Sequence, residues 1–178
     1  MERRCRVGRA LGGAASCTLL DELVVALAAL RLHRDQSATE ALAATAAVAF
    51  AAGSVLGTSL TDQAVARLGR RAVLLGSAVA CVIAVAAMTA PHGVLSSCLA
   101  LFVVAVVCAP HHALSLSRAY DELPDSPGAV QALAQVFVVV DVLGPLALGV
   151  VADRFGLGAA IGCLTAQPVV IFACAALD

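Results

Sequence analysis

The sequence is poor in charge and in aromatic side chains. Charged residues make up 13% of its 178 residues, and aromatic residues make up 3%. A soluble domain is about one-quarter charged, so roughly half of the expected charge is absent and much of the surface must face something other than water. The net charge of -1 lacks the basic excess of nucleic-acid-binding proteins, and we predict no nucleic-acid partner.

Two further patterns are absent. The apolar stretches do not alternate with polar residues, which argues against an outer-membrane barrel. The seven cysteines show neither the CxxC pattern nor a Cys–His spacing typical of a metal site. Most of them lie inside apolar stretches, where we interpret the thiols as small buried side chains. We therefore predict no metal and no cofactor.

The sequence instead contains long apolar blocks, and 61% of its residues are hydrophobic. Each block has close to the roughly 20 residues that cross a bilayer core as a helix, the structure that such a block adopts in lipid. We predict an all-α membrane protein with a basic tail at 1–10, a loop at 118–127, and one six-helix domain over 11–177. Its first four helices fall within 11–117 and its last two within 128–177. The predicted spans are 11–30, 41–61, 72–90, 93–117, 128–152 and 157–177.

The arginines predict how these helices are oriented. With six spans, both termini lie on one side of the membrane, and that side carries eight of the eleven arginines. The other side carries Arg31, Arg34 and Arg154. Because cytoplasmic segments are enriched in basic residues, we predict a multi-pass protein of the plasma (inner) membrane with both termini in the cytoplasm. Ser37 or Thr39 is expected to cap the second helix.

Two connections share a pattern in which a helix ends, turns through Arg-apolar-Gly, and is followed by the next helix. They are 57–71, between the second and third blocks, and 149–156, between the fifth and sixth. They occupy the same place in two units of three helices. Units with three spans insert with opposite orientations, so the pattern predicts two inverted three-helix repeats, an architecture that recurs in transporters.

At these residues the chain resembles the major facilitator superfamily of transporters, whose loop signature is G-x-x-x-D-R-x-G-R-R. The signature acid would fall at Ala66, the nearest acid is Asp62, and the second copy lacks the basic pair. In the family, this charged loop locks and releases a helix pair during transport. The gating-loop candidates that the resemblance implies are Asp62, Arg67, Gly69, Arg70, Arg71, Gly149, Asp153, Arg154 and Gly156.

The similarity extends to 119–124 and to the Asp-x-x-Gly-Pro element at 141–145, which resemble the loop before the family's eleventh helix and that helix. The chain thus looks like helices seven to twelve, the C-terminal half of such a transporter. The resemblance implies secondary-active transport of a small solute, with protons as a coupling partner and efflux as one direction. It also implies a second six-helix half or a homodimer. The alternative is a membrane subunit or fragment that does not transport and has a structural or interaction role.

Several polar residues lie at membrane depth. Asp21 and Glu22 are midway through the first block, where a carboxylate costs about 2.5–3.5 kcal/mol. Asp141 precedes Pro145 by four residues, and the missing proline amide leaves the Asp141 carbonyl without its helical donor. Substrate binding or proton coupling is one interpretation of these acids, with at most one of Asp21 and Glu22 lining a cavity, because neighbours on a helix point about 100° apart. A hydrogen bond between helices, a misplaced boundary of the first block, or a structural kink at Pro145 is the other.

Other polar groups admit similar alternatives. Gln131 and Gln135, one turn apart, either line a cavity or join helices. His111 and His112 either relay protons or lie at the membrane interface. The Gly57-Thr58-Ser59 triplet has the Gly-x-Ser spacing of rhomboid-type intramembrane proteases, but it lies near a helix end and lacks an oxyanion-hole pattern. We therefore predict no catalytic residue and no enzyme.

Overall fold

A computed structural model of the chain describes residues 2–35, 38–90, 93–136 and 138–177. These residues form eight α-helices, and no strand occurs among them. The helices are α1 Glu2–Asp35, α2 Glu40–Leu68, α3 Arg70–Thr89, α4 Val94–Glu122, α5 Pro127–Val136, α6 Val138–Phe155, α7 Leu157–Cys163 and α8 Ala166–Ala176.

Four helical stretches within the described ranges are long and apolar enough to cross a membrane. They are α2, α3, α4 and the α7–α8 stretch Leu157–Ala176. The predicted all-helical fold is confirmed, and so is the presence of candidate membrane spans. The first predicted span falls within α1 and the fifth within α5 and α6. Their crossing of a membrane, and the inverted repeat, stay predictions.

The helices extend beyond the apolar blocks. α2 continues seven residues past its block to Leu68, and α4 continues to Glu122. The loop expected at 118–127 is therefore wrong in extent, because its first five residues are helical. Both extensions are free of glycine and proline, so polar composition alone does not end a helix. Of the two predicted caps, Thr39 is confirmed, since its Oγ1 accepts from the Leu42 amide at 3.3 Å, and Ser37 lies outside the described residues.

Both Arg-apolar-Gly segments form the same turn. Gly69 has φ 82° and Gly156 has φ 88°, a region of backbone conformation that glycine adopts without strain. Each glycine amide donates to the carbonyl four residues earlier, of Val65 and Ala152 respectively, at 2.9 Å. The two predicted turns are therefore confirmed as equivalent in backbone geometry.

Small residues bring α2 close to α4. A Cβ atom added to Gly53 or Gly57 would overlap the carbonyl oxygens of Phe102 and Val106. Pro110 deprives the Val106 carbonyl of its helical donor. Gly57 approaches that oxygen where a larger residue could not, so the glycines hold the two helices at backbone contact distance.

Contacts at the two ends of the bundle show that the long helices run along it in alternating directions. At one end, Arg70 pairs with Asp121, and Arg71 donates to the Ala176 carbonyl at 2.9 Å. The start of α1 packs there against the end of α4, so we call this the tail end. At the opposite end, Arg31 of α1 donates to the last carbonyls of α3, including those of Thr89 at 3.1 Å and Ala90 at 3.0 Å.

Candidate functional site

Two groups of polar residues lie between the ends of the bundle. The first, which we call the acidic face, consists of Asp21, Glu22, Cys108 and His112. On α1, Leu20 and Val24 are fully buried, whereas Asp21 and Glu22 are exposed on the surface of the bundle. The helical period therefore puts the apolar residues into the core and leaves the two carboxylates outside it.

The acidic face joins α1 to α4. Asp21 Oδ1 accepts a hydrogen bond from Cys108 Sγ at 3.4 Å, and the thiol itself is buried. His112 is exposed on α4, one turn beyond Cys108 and within electrostatic range of Asp21. Asp21 thus turns towards α4. The face offers a carboxylate with a weak thiol donor, a second carboxylate and an imidazole.

The second group, which we call the polar centre, consists of Cys17, Ser77, His111 and Gln167. His111 is fully buried. Its Nε2 lies 3.0 Å from Ser77 Oγ, and its Nδ1 lies 3.3 Å from Gln167 Nε2. The Gln167 amide also donates to Cys17 Sγ at 3.6 Å. The centre therefore joins four helices, α1, α3, α4 and α8, through neutral side chains.

The hydrogen bonds assign the protons of the polar centre. Gln167 Nε2 can only donate, so His111 Nδ1 accepts and its Nε2 carries the hydrogen, which points to Ser77 Oγ. The Ser77 hydroxyl then donates to the Leu74 carbonyl at 3.2 Å. Within the described ranges, Gln167 Oε1 is the buried side-chain oxygen or nitrogen that lacks a hydrogen-bond partner.

A break between α7 and α8 turns Gln167 inwards. Pro168 lacks the amide hydrogen that would bond the Leu164 carbonyl, and Leu164 and Thr165 instead form turns with Ile161 and Gly162. Sequence spacing does not predict the polar centre, because the four residues of the centre are far apart along the chain. Spacing does not predict the break either. The Gln-Pro pair inside an apolar block is the signal that indicates the break. His111 is internal to the bundle, and its depth relative to the membrane interface stays a prediction.

Gln131 and Gln135 are not brought to the acidic face. Gln131 lies on α5 and donates to the Tyr120 hydroxyl at 2.5 Å. Gln135, one turn later, is exposed. The side chain of Asp141 lies outside the part that the structure describes, and α6 continues as a helix through Pro145.

The gating-loop candidates lie at opposite ends of the bundle. At the tail end, Asp62 and Arg67 are exposed on α2, and the acid that pairs with Arg70 is Asp121, in the last turn of α4. At the other end, Gly149, Asp153 and Arg154 are exposed on α6 before Gly156, and buried Leu157 stands where the first turn has Arg70. The two turns share a backbone conformation but differ in the charged side chains around it.

The protease-like triplet has no catalytic geometry. Ser59 Oγ donates to the Val55 carbonyl of its own helix at 2.7 Å, and His111 is bonded to Ser77 instead. Among the side chains that the structure describes, no group of three or more His, Cys, Asp or Glu residues is placed to hold a metal ion.

Comparisons of the chain with protein-family models, with curated proteins and with solved structures found no match. The resemblance to a transporter half therefore stays a prediction based on the two turns and on the residues around them.

Proposed function

We propose that the chain is a six-span membrane protein that forms one half of a secondary transporter for a small solute. The acidic face is the observation that carries this proposal. Two carboxylates lie midway along α1, on the outside of a bundle with four candidate membrane spans. A charged group in contact with lipid at that depth costs about 2.5–3.5 kcal/mol. A water-filled cavity in front of the face removes most of this cost.

A single bundle supplies only one wall of such a cavity. The facing wall comes from a second copy of the chain or from a separately encoded half. Rocking of the two halves would expose the acidic face to each side of the membrane in turn. The equivalent turns at Gly69 and Gly156, at opposite ends of the bundle, support an inverted repeat of this kind.

The distribution of charge favours a neutral or cationic solute. All eleven basic residues are arginines, and those whose side chains are described lie near the ends of the helices. The acidic face carries two carboxylates, which would repel an anion, and one imidazole. The same carboxylates suit proton coupling. The arginine excess at the tail end supports cytoplasmic termini.

Thiol labelling tests whether water reaches the acidic face. Cys5, Cys98, Cys163 and Cys174 are first replaced by serine, and Glu22→Cys is introduced. We expect a charged, membrane-impermeant thiosulfonate to label this cysteine in vesicles. The matched control is Leu146→Cys on α6, at an apolar position that is 67% exposed and that we expect to face lipid. If both cysteines resist the reagent, no aqueous cavity lies in front of the face.

Transport is tested in proteoliposomes that contain a pH-sensitive dye. Ethidium, arabinose and benzoate serve as cationic, neutral and anionic probes. We expect movement of ethidium or arabinose, together with a change in internal pH, and no movement of benzoate. Particle size in mild detergent is measured on the same preparation. A strict monomer that moves none of the three probes would favour the structural-subunit alternative.

A further inference from the structure

A groove between α2 and α3 opens on the outer surface of the bundle. Its volume is about 270 Å³, and α4 forms its floor. Its walls run from Leu68 at the tail end to Gly57, eleven residues away on α2, which corresponds to roughly 16 Å along the helix. The acidic face is formed by α1 and α4, and no residue of that face lines the groove.

The groove is suited to a hydrocarbon chain. Its lining is almost entirely apolar, and the hydroxyl groups that reach it are already bonded within the protein. Thr61 Oγ1 donates to the Gly57 carbonyl at 2.8 Å, and Ser77 Oγ is held by His111 and the Leu74 carbonyl. A polar solute would find few partners there.

The mouth of the groove at the tail end is basic. Leu68 and Ala72, which line that end, lie in the segment 67–72, which also carries Arg67, Arg70 and Arg71. Asp121 pairs with Arg70, so it offsets one of the three charges. Arg67 is exposed in the last turn of α2. Arg71 is bonded to a neutral carbonyl and keeps its charge.

We infer that this groove binds one anionic phospholipid, whose acyl chain lies between α2 and α3 and whose phosphate contacts Arg67. The combination of an apolar crevice with basic residues at one end complements both parts of such a lipid. Basic residues next to cytoplasmic ends of membrane helices bind anionic headgroups in this way. The inference uses the membrane setting of the proposed function but not its transport activity.

Gly76 allows the groove to be filled without disturbing the protein. A Cβ atom at this position would meet no other atom within 4 Å, and the residue lines the groove. Gly76→Phe should therefore occupy the path of the acyl chain. Gly128→Phe is the matched control, because a Cβ there is equally free and lies outside the groove. Arg67→Gln removes the headgroup charge, with Arg34→Gln at the opposite end as its control.

The experiment is native mass spectrometry of the detergent-purified protein with added phosphatidylglycerol or phosphatidylcholine. We expect the unmodified chain to retain one phosphatidylglycerol molecule and to prefer it over phosphatidylcholine about fivefold. One arginine at an anionic headgroup contributes a preference of this size. Gly76→Phe should lose both lipids, and Arg67→Gln should lose only the preference. The two control variants should behave as the unmodified chain.

Three outcomes would overturn the inference. They are equal retention of the two lipids by the unmodified chain, unchanged retention by Gly76→Phe, and a protein dimer that Gly76→Phe dissociates, since a second copy would then occupy the groove. A chain that transports but retains no lipid contradicts this inference alone. A chain that stays dissolved without detergent contradicts the proposed function as well.

Discussion

The acidic face and the polar centre share the helices α1 and α4 and differ in what surrounds them. Asp21 follows Cys17 by one turn on α1, and His112 follows His111 directly on α4. Yet Cys17 and His111 are buried and hydrogen-bonded across helices, whereas Asp21 and His112 are exposed. On α4, the rotation of about 100° between neighbouring residues is enough to place His111 in the core and His112 outside it.

The comparison separates two uses of polarity within a membrane. The polar centre contains neutral groups that satisfy one another, with Gln167 Oε1 as the exception. Such a centre specifies how four helices pack. The acidic face has charged groups with few protein partners, which is unfavourable for stability and useful for binding. We expect variants of the face to alter transport and variants of the centre to alter stability.

The largest expected effect is on transport. Asp21→Asn should abolish proton-coupled uptake because the amide can no longer exchange a proton. Its stability should be unchanged or higher, since a charged group is removed from membrane depth. Dye-reported pH change in proteoliposomes, together with a thermal unfolding midpoint, measures both properties. Asp125→Asn, in the exposed α4–α5 connection, is the control. Uptake by Asp21→Asn with unchanged pH dependence would contradict the assignment.

His111→Leu should give the largest loss of stability. It leaves the Gln167 amide and the Ser77 hydroxyl each without one buried partner, at about 1–3 kcal/mol for such a group. Unfolding by SDS in mixed micelles measures the free energy of unfolding. The adjacent variant His112→Leu is the control and should change it by less than about 0.5 kcal/mol, as surface substitutions do. Equal effects of the two variants would show that burial does not separate the two groups.

Gln167→Met should lower the free energy of unfolding by less than His111→Leu does, by no more than about 1 kcal/mol. The substitution loses two weak hydrogen bonds but also removes an unpaired buried oxygen. In the double variant with His111→Leu, the loss of stability should be smaller than the sum of the two single losses by about 1 kcal/mol. This difference is the coupling expected of contacting residues. Gln135→Met, at an exposed position, is the matched control. Strict additivity would indicate that the His111–Gln167 hydrogen bond contributes nothing.

Cys108→Ala should have the smallest effect. The thiol is a weak donor to Asp21, so its removal should lower stability by no more than about 1 kcal/mol and leave uptake detectable. Cys98→Ala, also on α4 but half-buried, serves as the control. Uptake as low as in Asp21→Asn would place Cys108 in the transport step itself.

Local features of the fold were predictable because they depend on neighbouring residues. Gly69 and Gly156 end their helices where an Arg-apolar-Gly pattern occurs twice, and Thr39 caps α2. The helices α2 and α4 continue past their predicted ends, because charge marks the end of an apolar block and not the end of a helix. The pairing of Arg70 with Asp121 could not be predicted, since fifty-one positions separate the two residues.

The amino-acid sequence by itself determined that this chain is helical, that several of its helices are long and apolar enough to cross a membrane, and where its two glycine turns fall. Composition, block length and local conformational preference act over a few neighbouring residues and need no other part of the chain. Only the tertiary structure decided that His111 and Gln167 meet inside while Asp21 and Glu22 remain outside. Which side of an almost uniformly apolar helix is buried depends on how the other helices pack against it.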